Sequence, residues 1–547
     1  MKPKLGVLVS HPIQYLSPWF RYLAGRLDLE VFYAHRQDAH AQGQAGFGLD
    51  FEWDTPLTDG YPHRWLRNVA RRPSVRSFSG CDTPEIYDLL RTRRFDGFLV
   101  FGWNRKSAMQ AVMACWRNKI PVLMRGDSQL MMKRWWAKSA MKYFPYRWLL
   151  PRIDAHLYVG QRNRAYLKHY GVSDERLFFV PHFVDNGFFR QEAQKAEKEE
   201  KGSEARARLG IPNDAFVFLF VGKMIPKKRP GDFVRACLKL FDTADGANAH
   251  AILAGDGPLR PSLQAVSGAH RIHFAGFLNQ TQLPAVYQAS NALVLPSGGD
   301  ETWGLVVNEA AACGVPAIIS DAVGCGPDLI EEGRTGYTYP VGEVEALADR
   351  MRELKRTSEA RPEAIRHALA GKVASYSIER ATEGLETALF VWSAVQAAGS
   401  GPAPVAGAFL GLGVAVVLAF LLYRQSVHLN LAVFFRVTGA ALIVVVAGIT
   451  AYALHDLQEA ALVPGLHALA FDLSHIPHLG ADSLLGTLLR GVFNLSPQYT
   501  WLQLAAFLGY LVPVMALFFR PQRPARSAVA ADGPGPVRRP TEVHASR

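Results

Sequence analysis

The chain has 547 residues, 60 Lys+Arg against 48 Asp+Glu, and a formal net charge of +12. Hydrophobic residues make up 49% and charged residues 20%, which excludes a disordered chain. Five scattered cysteines (Cys81, Cys115, Cys237, Cys313, Cys325) form no C-x-x-C pair, which argues against a secreted disulfide framework and a structural zinc site.

At roughly 150 residues per domain the length suggests three or four domains. The averages join unlike parts: residues 401–547 hold 9 Arg, no Lys and 6 acids, a net of +3, and residues 1–400 carry the other +9. The chain starts MKPKLGVLVSH, whose apolar stretch Leu5–Val9 is too short for a signal-peptide core and reads as a buried parallel strand. Leu29–Tyr33, Gly97–Phe101, Pro121–Met124 and Ala155–Val159 read as further strands. Ser17–Ala24 and Ser107–Arg117 read as helices between them. This alternation predicts a doubly wound α/β domain over 1–190.

Gln191–Arg208 (QEAQKAEKEEKGSEARAR) is a charge run that reads equally as a hinge or as a solvated helix or linker. A second α/β unit, 209–395, has predicted strands at Phe216–Val221, Ala249–Ala254, Arg271–Phe274, Ala292–Leu295 and Pro316–Ile319. Two such units place a cleft between their strand C-termini, where open α/β sheets bind ligands.

The chemistry-bearing tract is Asp300–Ser320, DETWGLVVNEAAACGVPAIIS. Leu305–Cys313 reads as a helix, with Glu301 just before it and Glu309 about two turns on. Backbone N–H groups near Gly304, Leu305 and Val306 open the helix, and its dipole favours a phosphate there. Phe220–Pro230 (FVGKMIPKKRP) puts Lys223 and Lys228 after a buried strand and Gly222, where two cations suit a departing diphosphate. The Gly255-x-Gly257 turn follows another strand but lacks the third glycine of a dinucleotide fingerprint.

The order of these motifs resembles the nucleotide-sugar domain of the family 4 retaining glycosyltransferases, which have the two-domain GT-B fold. The family's E-x7-E corresponds to Glu301 and Glu309, and its basic pair to Lys223 and Lys228, although Arg is commoner at the first position. The resemblance covers roughly 1–390 and is tightest over 216–345. It implies two Rossmann-like domains facing a cleft and a nucleotide-diphosphate sugar donor. Glu309 would hold the ribose and Glu301 the transferred sugar. Lys223 and Lys228 would hold the diphosphate, with Gly222, Gly255, Trp303, Gly304, Leu305 and Val306 also on the donor side. Phe277 and Leu278 would lie near the base. Glu301, Lys223, Lys228 and Asp127 are the catalytic candidates.

The first domain departs more from that pattern. SHPIQYLSP after the first strand puts His11 and Gln14 on the acceptor side of the cleft. Arg125 and Asp127 stand where the family often has a histidine, and His182 stands in VPHFVD where the family usually has Asn. The implied mechanism retains the anomeric configuration: the acceptor attacks on the face that the diphosphate leaves. No D-x-D is present, so the lysines are expected to act without a metal, and no cofactor is expected.

Met131–Trp148 mixes basic and aromatic residues, as an interfacial helix on anionic lipid would, though the same mix suits a nucleic-acid face or a basic helix with a half-buried aromatic face. Elsewhere Lys and Arg form no stripe, so no nucleic-acid partner is expected. Three uncharged apolar runs, Ala403–Tyr423, Val437–Leu454 and Gln498–Phe519, have the length and composition of membrane spans. The expectation is a small transmembrane helix bundle over 403–519 and a disordered basic tail over 520–547. Phe434–Ala460, Phe471–Pro477 and Gly486–Pro497 make 403–519 resemble the last helices of the oxidase-dependent iron permeases. The R-E-x-x-E motif of that family is missing, the chain's one Arg-Glu being Arg352-Glu353. Two functions are weighed: a glycosyltransferase at the inner membrane, with cytoplasmic catalytic domains and a lipid-linked or glycan acceptor, or a permease-type transport or scaffold protein fused to an inactive transferase domain.

Overall fold

A computed structural model describes residues 2–43, 49–131, 136–268, 271–397, 413, 431–459, 463–465, 468–473, 476 and 495–520. The chain divides into two compact units, 1–404 and 405–547.

The first unit holds two parallel sheets. One orders its strands β3-β2-β1-β4-β5-β6-β7. These are β1 Lys4–Val9, β2 Asp28–Tyr33, β3 His63–Trp65, β4 Gly97–Phe101, β5 Val122–Gly126, β6 Ala155–Tyr158 and β7 Leu177–Phe179. The central strands are continuous apolar runs because helices cover both faces. In β1, for example, Leu5, Val7, Leu8 and Val9 are all buried. The second sheet runs β10-β9-β8-β11-β12-β13. Its strands are β8 Phe216–Val221, β9 Ala249–Ala254, β10 Ile272–Gly276, β11 Ala292–Leu295, β12 Ala317–Ser320 and β13 Gly336–Tyr339. Strand order reverses between β1 and β4 and again between β8 and β11, and those switch points open crevices at the strand C-termini.

All ten predicted strands are present within one or two residues. In these two sheets the three unanticipated strands are β3, β7 and β13. The first two are edge strands of three residues, and β13 is an edge strand that begins at a glycine. Gly336 (φ +155°) passes so close to β12 that a Cβ would lie 1.8 Å from the Ala317 carbonyl oxygen.

Two predicted boundaries move. The charged run, which reads equally as a hinge or as a solvated helix or linker, takes the helical form: it is parts of two helices, Asn186–Lys198 and Lys201–Arg208, packed on the second domain. Asp185 caps the first by accepting from the Phe188 N–H at 2.9 Å. Phe189, Ala193 and Ala196 bury its apolar face. Arg206 is buried and donates to the Ala289, Asn213 and Ala215 carbonyls at 2.9, 2.7 and 2.9 Å. The other shift is at the end of the second domain. The helix Ile378–Ala397 returns to the first, where Ile378, Ala381, Leu385 and Leu389 join its core. There the Trp19 indole donates to Thr382 Oγ1 at 3.0 Å. All five cysteines are buried and unpaired.

The second unit has two helices long and apolar enough to cross a membrane among its described residues, Arg436–His455 (within Leu431–Glu459) and Trp501–Phe518. They pack through small residues: Ala447 and Ala451 are buried, and Gly439 lies against the Phe518 ring. Gln498–Thr500, the start of the predicted third run, forms instead a strand (β15) antiparallel to β14, Leu469–Asp472. Thr500 then caps the helix in a reciprocal box with Gln503. Of Ala403–Tyr423 only Gly413 is among the described residues, and the tail beyond Arg520 lies outside them.

Candidate active site

The residues expected on the donor side converge at the C-terminal ends of β8, β9 and β10. Gly222 (φ +152°) and Gly255 (φ +132°) turn the chain away after β8 and β9. A Cβ on Gly255 would sit 2.0 Å from the Gly222 carbonyl oxygen, so this close backbone approach requires glycine. Beside them lies a cavity of about 140 Å³, lined by Gly222, Gly255, Phe277, Leu278, Val306 and Glu309.

The tract after β11 folds as the sequence predicts. Gly304 adopts φ +102° at the mouth of the helix Leu305–Ala312, and a side chain there would meet Leu295 and Val323. The first-turn N–H groups of Leu305 and Val306 precede any intrahelical partner. Glu309, just over one turn into the helix, is 9% exposed and accepts from the Tyr287 hydroxyl at 2.8 Å. Burial pushes its carboxyl up to about 7, with the Tyr287 hydrogen bond and Lys228 acting in the opposite direction.

The two lysines and Glu301 form the charged centre. Lys228 is ion-paired with Glu301, and both side chains are largely buried. Burial, then Lys228, Lys227 and Arg76, lowers Lys223 to about 8, while Glu301 acts in the opposite direction. A concentration of cations in a poorly hydrated cleft is suited to a polyanion.

On the facing domain, a second cavity of about 220 Å³ lies at the β1/β4 switch point and includes Ser10, Tyr15, Arg105, Asp127 and His182. Asp127 accepts from the Thr302 hydroxyl at 2.6 Å, which ties it to the residue after Glu301. His11 lies nearby, with Nδ1 2.9 Å from Ser10 Oγ. Its pKa falls to about 4 through burial, His35 and Arg105, so the ring is neutral at pH 7. His182 is buried between Tyr15 and Trp303, and burial together with Arg125 holds it well below the usual imidazole range. Its Nδ1 has no hydrogen-bond partner.

Three predicted site residues sit differently from expectation. Gln14 shares the cavity of Gly222, Gly255, Phe277 and Glu309, not that of Arg105 and Asp127, because the loop after β1 reaches across the cleft. Arg125 is 2% exposed, and its guanidinium is committed to the Val180 and Pro181 carbonyls at 2.5 and 2.8 Å. It therefore braces the VPHFVD tract. Trp303 is buried, with its indole N–H on Asn308 at 2.8 Å and its ring against Gly160, so it seats the Glu301 loop against the first domain.

Other contributors carried no local motif. Gln129, 2% exposed, donates from Nε2 to the Gly299, Glu301 and Ala322 carbonyls at 3.1, 2.9 and 3.2 Å. The segment 51–55 straps the first domain over the cavity beside Gly222 and Glu309. Trp53 lines that cavity, Phe51 packs on Phe277 with centroids 4.5 Å apart, and Asp54 accepts from Thr281. Among the described residues no group of three or more His, Cys, Asp or Glu gathers as a metal site.

Comparison with known proteins divides along the same lines. Residues 202–369 match the family Glycosyl transferases group 1. Residues 342–523 match the Iron permease FTR1 family, overlapping the first match over 342–369. The ferrous iron permease EfeU of Escherichia coli is 38% identical over 148 residues, 27% of this chain and 52% of that protein. EfeU of Shigella flexneri is also 38% identical over 148 residues, 27% of this chain and 62% of that protein. The chain thus spans little more than half the length of these curated relatives. Among solved structures, Anabaena HepE in complex with UDP aligns with a TM-score of 0.52 and 16% identity, covering 71% of this chain and 100% of that one. A glycosyltransferase from Rickettsia africae aligns at 0.53 and 14%, covering 71% and 98%. Sucrose-phosphate synthase from Thermosynechococcus elongatus aligns at 0.52 and 18%, covering 72% and 100%. The α/β unit has the GT-B fold, and the chain joins a glycosyltransferase-like part to a permease-like part.

Proposed function

We propose that the α/β unit is a retaining glycosyltransferase that moves a sugar from a nucleotide-diphosphate sugar to a hydroxyl acceptor. The reading rests on one arrangement: Lys223, Lys228, Glu301 and Glu309 gather around the mouth of the helix Leu305–Ala312. The solved Anabaena relative is a complex with UDP, which supports a nucleotide at the corresponding cleft. In this reading Phe277, Leu278 and Gln14 enclose the base, and Glu309 accepts from the ribose hydroxyls. The diphosphate displaces Glu301 from Lys228 and lies against both lysines and the Leu305 and Val306 N–H groups. Glu301, released, accepts from the transferred sugar's hydroxyls.

Catalysis is then positioning and charge stabilisation. The acceptor oxygen attacks the anomeric carbon from the face the diphosphate leaves. Its proton passes to a leaving phosphate oxygen, and the new charge falls on Lys223 and Lys228, which supply the stabilisation a metal provides elsewhere. Asp127, facing the reacting centre, orients the acceptor. The decisive experiment incubates the full chain with several nucleotide sugars and membrane extract, then measures released nucleoside diphosphate and glycosylated lipid. No release from any donor would reject the reading.

The acceptor is taken to be a lipid-linked glycan, and the permease-like segment an anchor in the inner membrane with the catalytic half cytoplasmic. The helix Trp136–Leu149 supports membrane contact. Met141, Phe144 and Trp148 are 78%, 76% and 55% exposed at helical spacing. Arg147 is exposed beside them, and Arg152 lies over the Trp148 ring at 4.6 Å. Because every native cysteine is buried, a Phe144→Cys variant accepts a single polarity-sensitive dye. Its emission should shift to the blue when the full chain is moved from detergent into phosphatidylglycerol nanodiscs. Equal emission in both would remove the helix from the membrane.

A further inference from the structure

Among the described residues, Arg105, a cation lining the cavity at the β1/β4 switch point, has no ion-paired carboxylate. Arg105 stands just before the helix Lys106–Asn118 and is partly buried. Its Nη1 donates to the Asn104 carbonyl at 2.9 Å and its Nη2 to the Val75 carbonyl, while Nε is buried with no partner. No carboxylate is among the groups that perturb it: burial lowers its pKa, and the opposing influence is the Cys81 thiol. The adjoining helix carries no acid in its first turn, so its positive end adds to the guanidinium.

The neighbouring charges do not supply the missing partner. Asp127, in the same cavity, takes the Thr302 hydroxyl. Arg125 is committed to two carbonyls. His11 feels Arg105 and His35 as like-signed neighbours. Arg76, on the loop that Arg105 holds through Val75, adds its field to Lys223. A desolvated guanidinium without a counter-ion is costly in a free protein and favourable once an anion arrives.

We infer that the acceptor carries an anionic group, a phosphate or a carboxylate, and that Arg105 binds it in the cavity between β1, β4 and the helix Lys106–Asn118. This deepens the transferase reading and rests on it for the word acceptor. The two carbonyls take one N–H from each terminal nitrogen, so the planar guanidinium keeps further N–H donors that suit either oxyanion. Held there, the anion would lie across the cleft from the lysines, so acceptor and diphosphate would each have their own cations.

The test titrates the full chain in detergent with glucose 6-phosphate, glucuronate and glucose, by calorimetry. At least one of the two anionic sugars should bind and glucose should not; which one binds identifies the group. Arg105→Gln should weaken that binding at least tenfold, and Arg105→Lys, which keeps the charge without the planar fork, should weaken it less. Equal binding of glucose, no binding of either anionic sugar, or unchanged binding in Arg105→Gln would each overturn the inference. A role confined to holding the Val75 loop would not separate anionic from neutral sugars. Nucleoside diphosphate release, measured on the same samples, tests the transferase reading separately: without it, an Arg105-dependent anion site stands but is not an acceptor site.

Discussion

Lys228→Ala should lower kcat/KM for the sugar donor by about 10²–10³-fold, the usual loss when one preorganised charge stabiliser is removed from a reacting centre. Most of the loss should fall on kcat, because charge on the diphosphate grows as the glycosidic bond breaks. Before any donor arrives, however, the same ammonium neutralises Glu301. Removing it leaves a largely buried carboxylate unpaired, which should destabilise the free protein by about 2 kcal/mol, less than for a fully buried pair. Glu301→Gln in the Lys228→Ala background should recover part of that stability without recovering turnover. Urea unfolding and steady-state kinetics on the two single variants and the double variant separate the effects. Unchanged turnover in Lys228→Ala would mean that the diphosphate does not lie where the structure gathers its cations.

The pairing also explains how the free site keeps its shape. Lys228 and Glu301 belong to different loops, after β8 and β11, and the ion pair holds both at the edge of the cleft. Gln129 does the same from the other side by clasping three carbonyls around Glu301. A donor diphosphate therefore exchanges one charged partner for another and does not have to organise a loose loop, which keeps the entropic cost of binding low.

This centre was readable in the sequence because its signals are local. A buried strand, a glycine and a lysine, or a glycine before an apolar helix with carboxylates eight residues apart, each fit within a short stretch of chain. The strands were legible for the same reason: β1, β4, β8 and β11 are apolar runs bounded by turns. What could not be read depends on contacts between distant segments. Gln14 looks like an acceptor-side residue until the loop after β1 is seen to cross to the donor cavity. The 51–55 strap joins residues more than two hundred positions apart, as in Asp54 with Thr281. Trp303 and Arg125 have ligand-like chemistry, yet Asn308 and two carbonyls satisfy their donors. The charged run 191–208 reads equally as a hinge or as a solvated helix or linker because charge alone does not report packing: within it Arg206 is buried against carbonyls, and Phe189, Ala193 and Ala196 bury the apolar face of the helix Asn186–Lys198.

Glu309→Gln should stabilise the free protein while weakening the donor. The Glu309 carboxyl titrates near 7 when folded, against an ordinary value of 4.5. Between those values the folded state keeps a proton that the unfolded chain releases, so rising pH through this window costs stability. Above pH 7 the cost levels off at about 3 kcal/mol. The glutamine carries no charge at any pH, and its amide oxygen still accepts from Tyr287. The variant should thus be more stable than the wild type by up to about 3 kcal/mol at pH 8, with the gap closing toward pH 4. Donor affinity should move the other way. An ionised carboxylate offers acceptors to both ribose hydroxyls, and an amide offers one, so Glu309→Gln should weaken nucleotide binding at pH 8 by about 10–100-fold. The wild type should bind best between about pH 7, below which Glu309 takes a proton, and about pH 8, above which Lys223 loses one. In Glu309→Gln the acid limb should vanish and the alkaline limb remain. Calorimetric titration with nucleoside diphosphate across pH 5.5–9, beside urea unfolding at the same pH values, reads both effects. A persisting acid limb in the variant would move the ribose contact away from Glu309. Equal stability at pH 8 would mean that the buried carboxylate is neutralised by a partner other than its own proton.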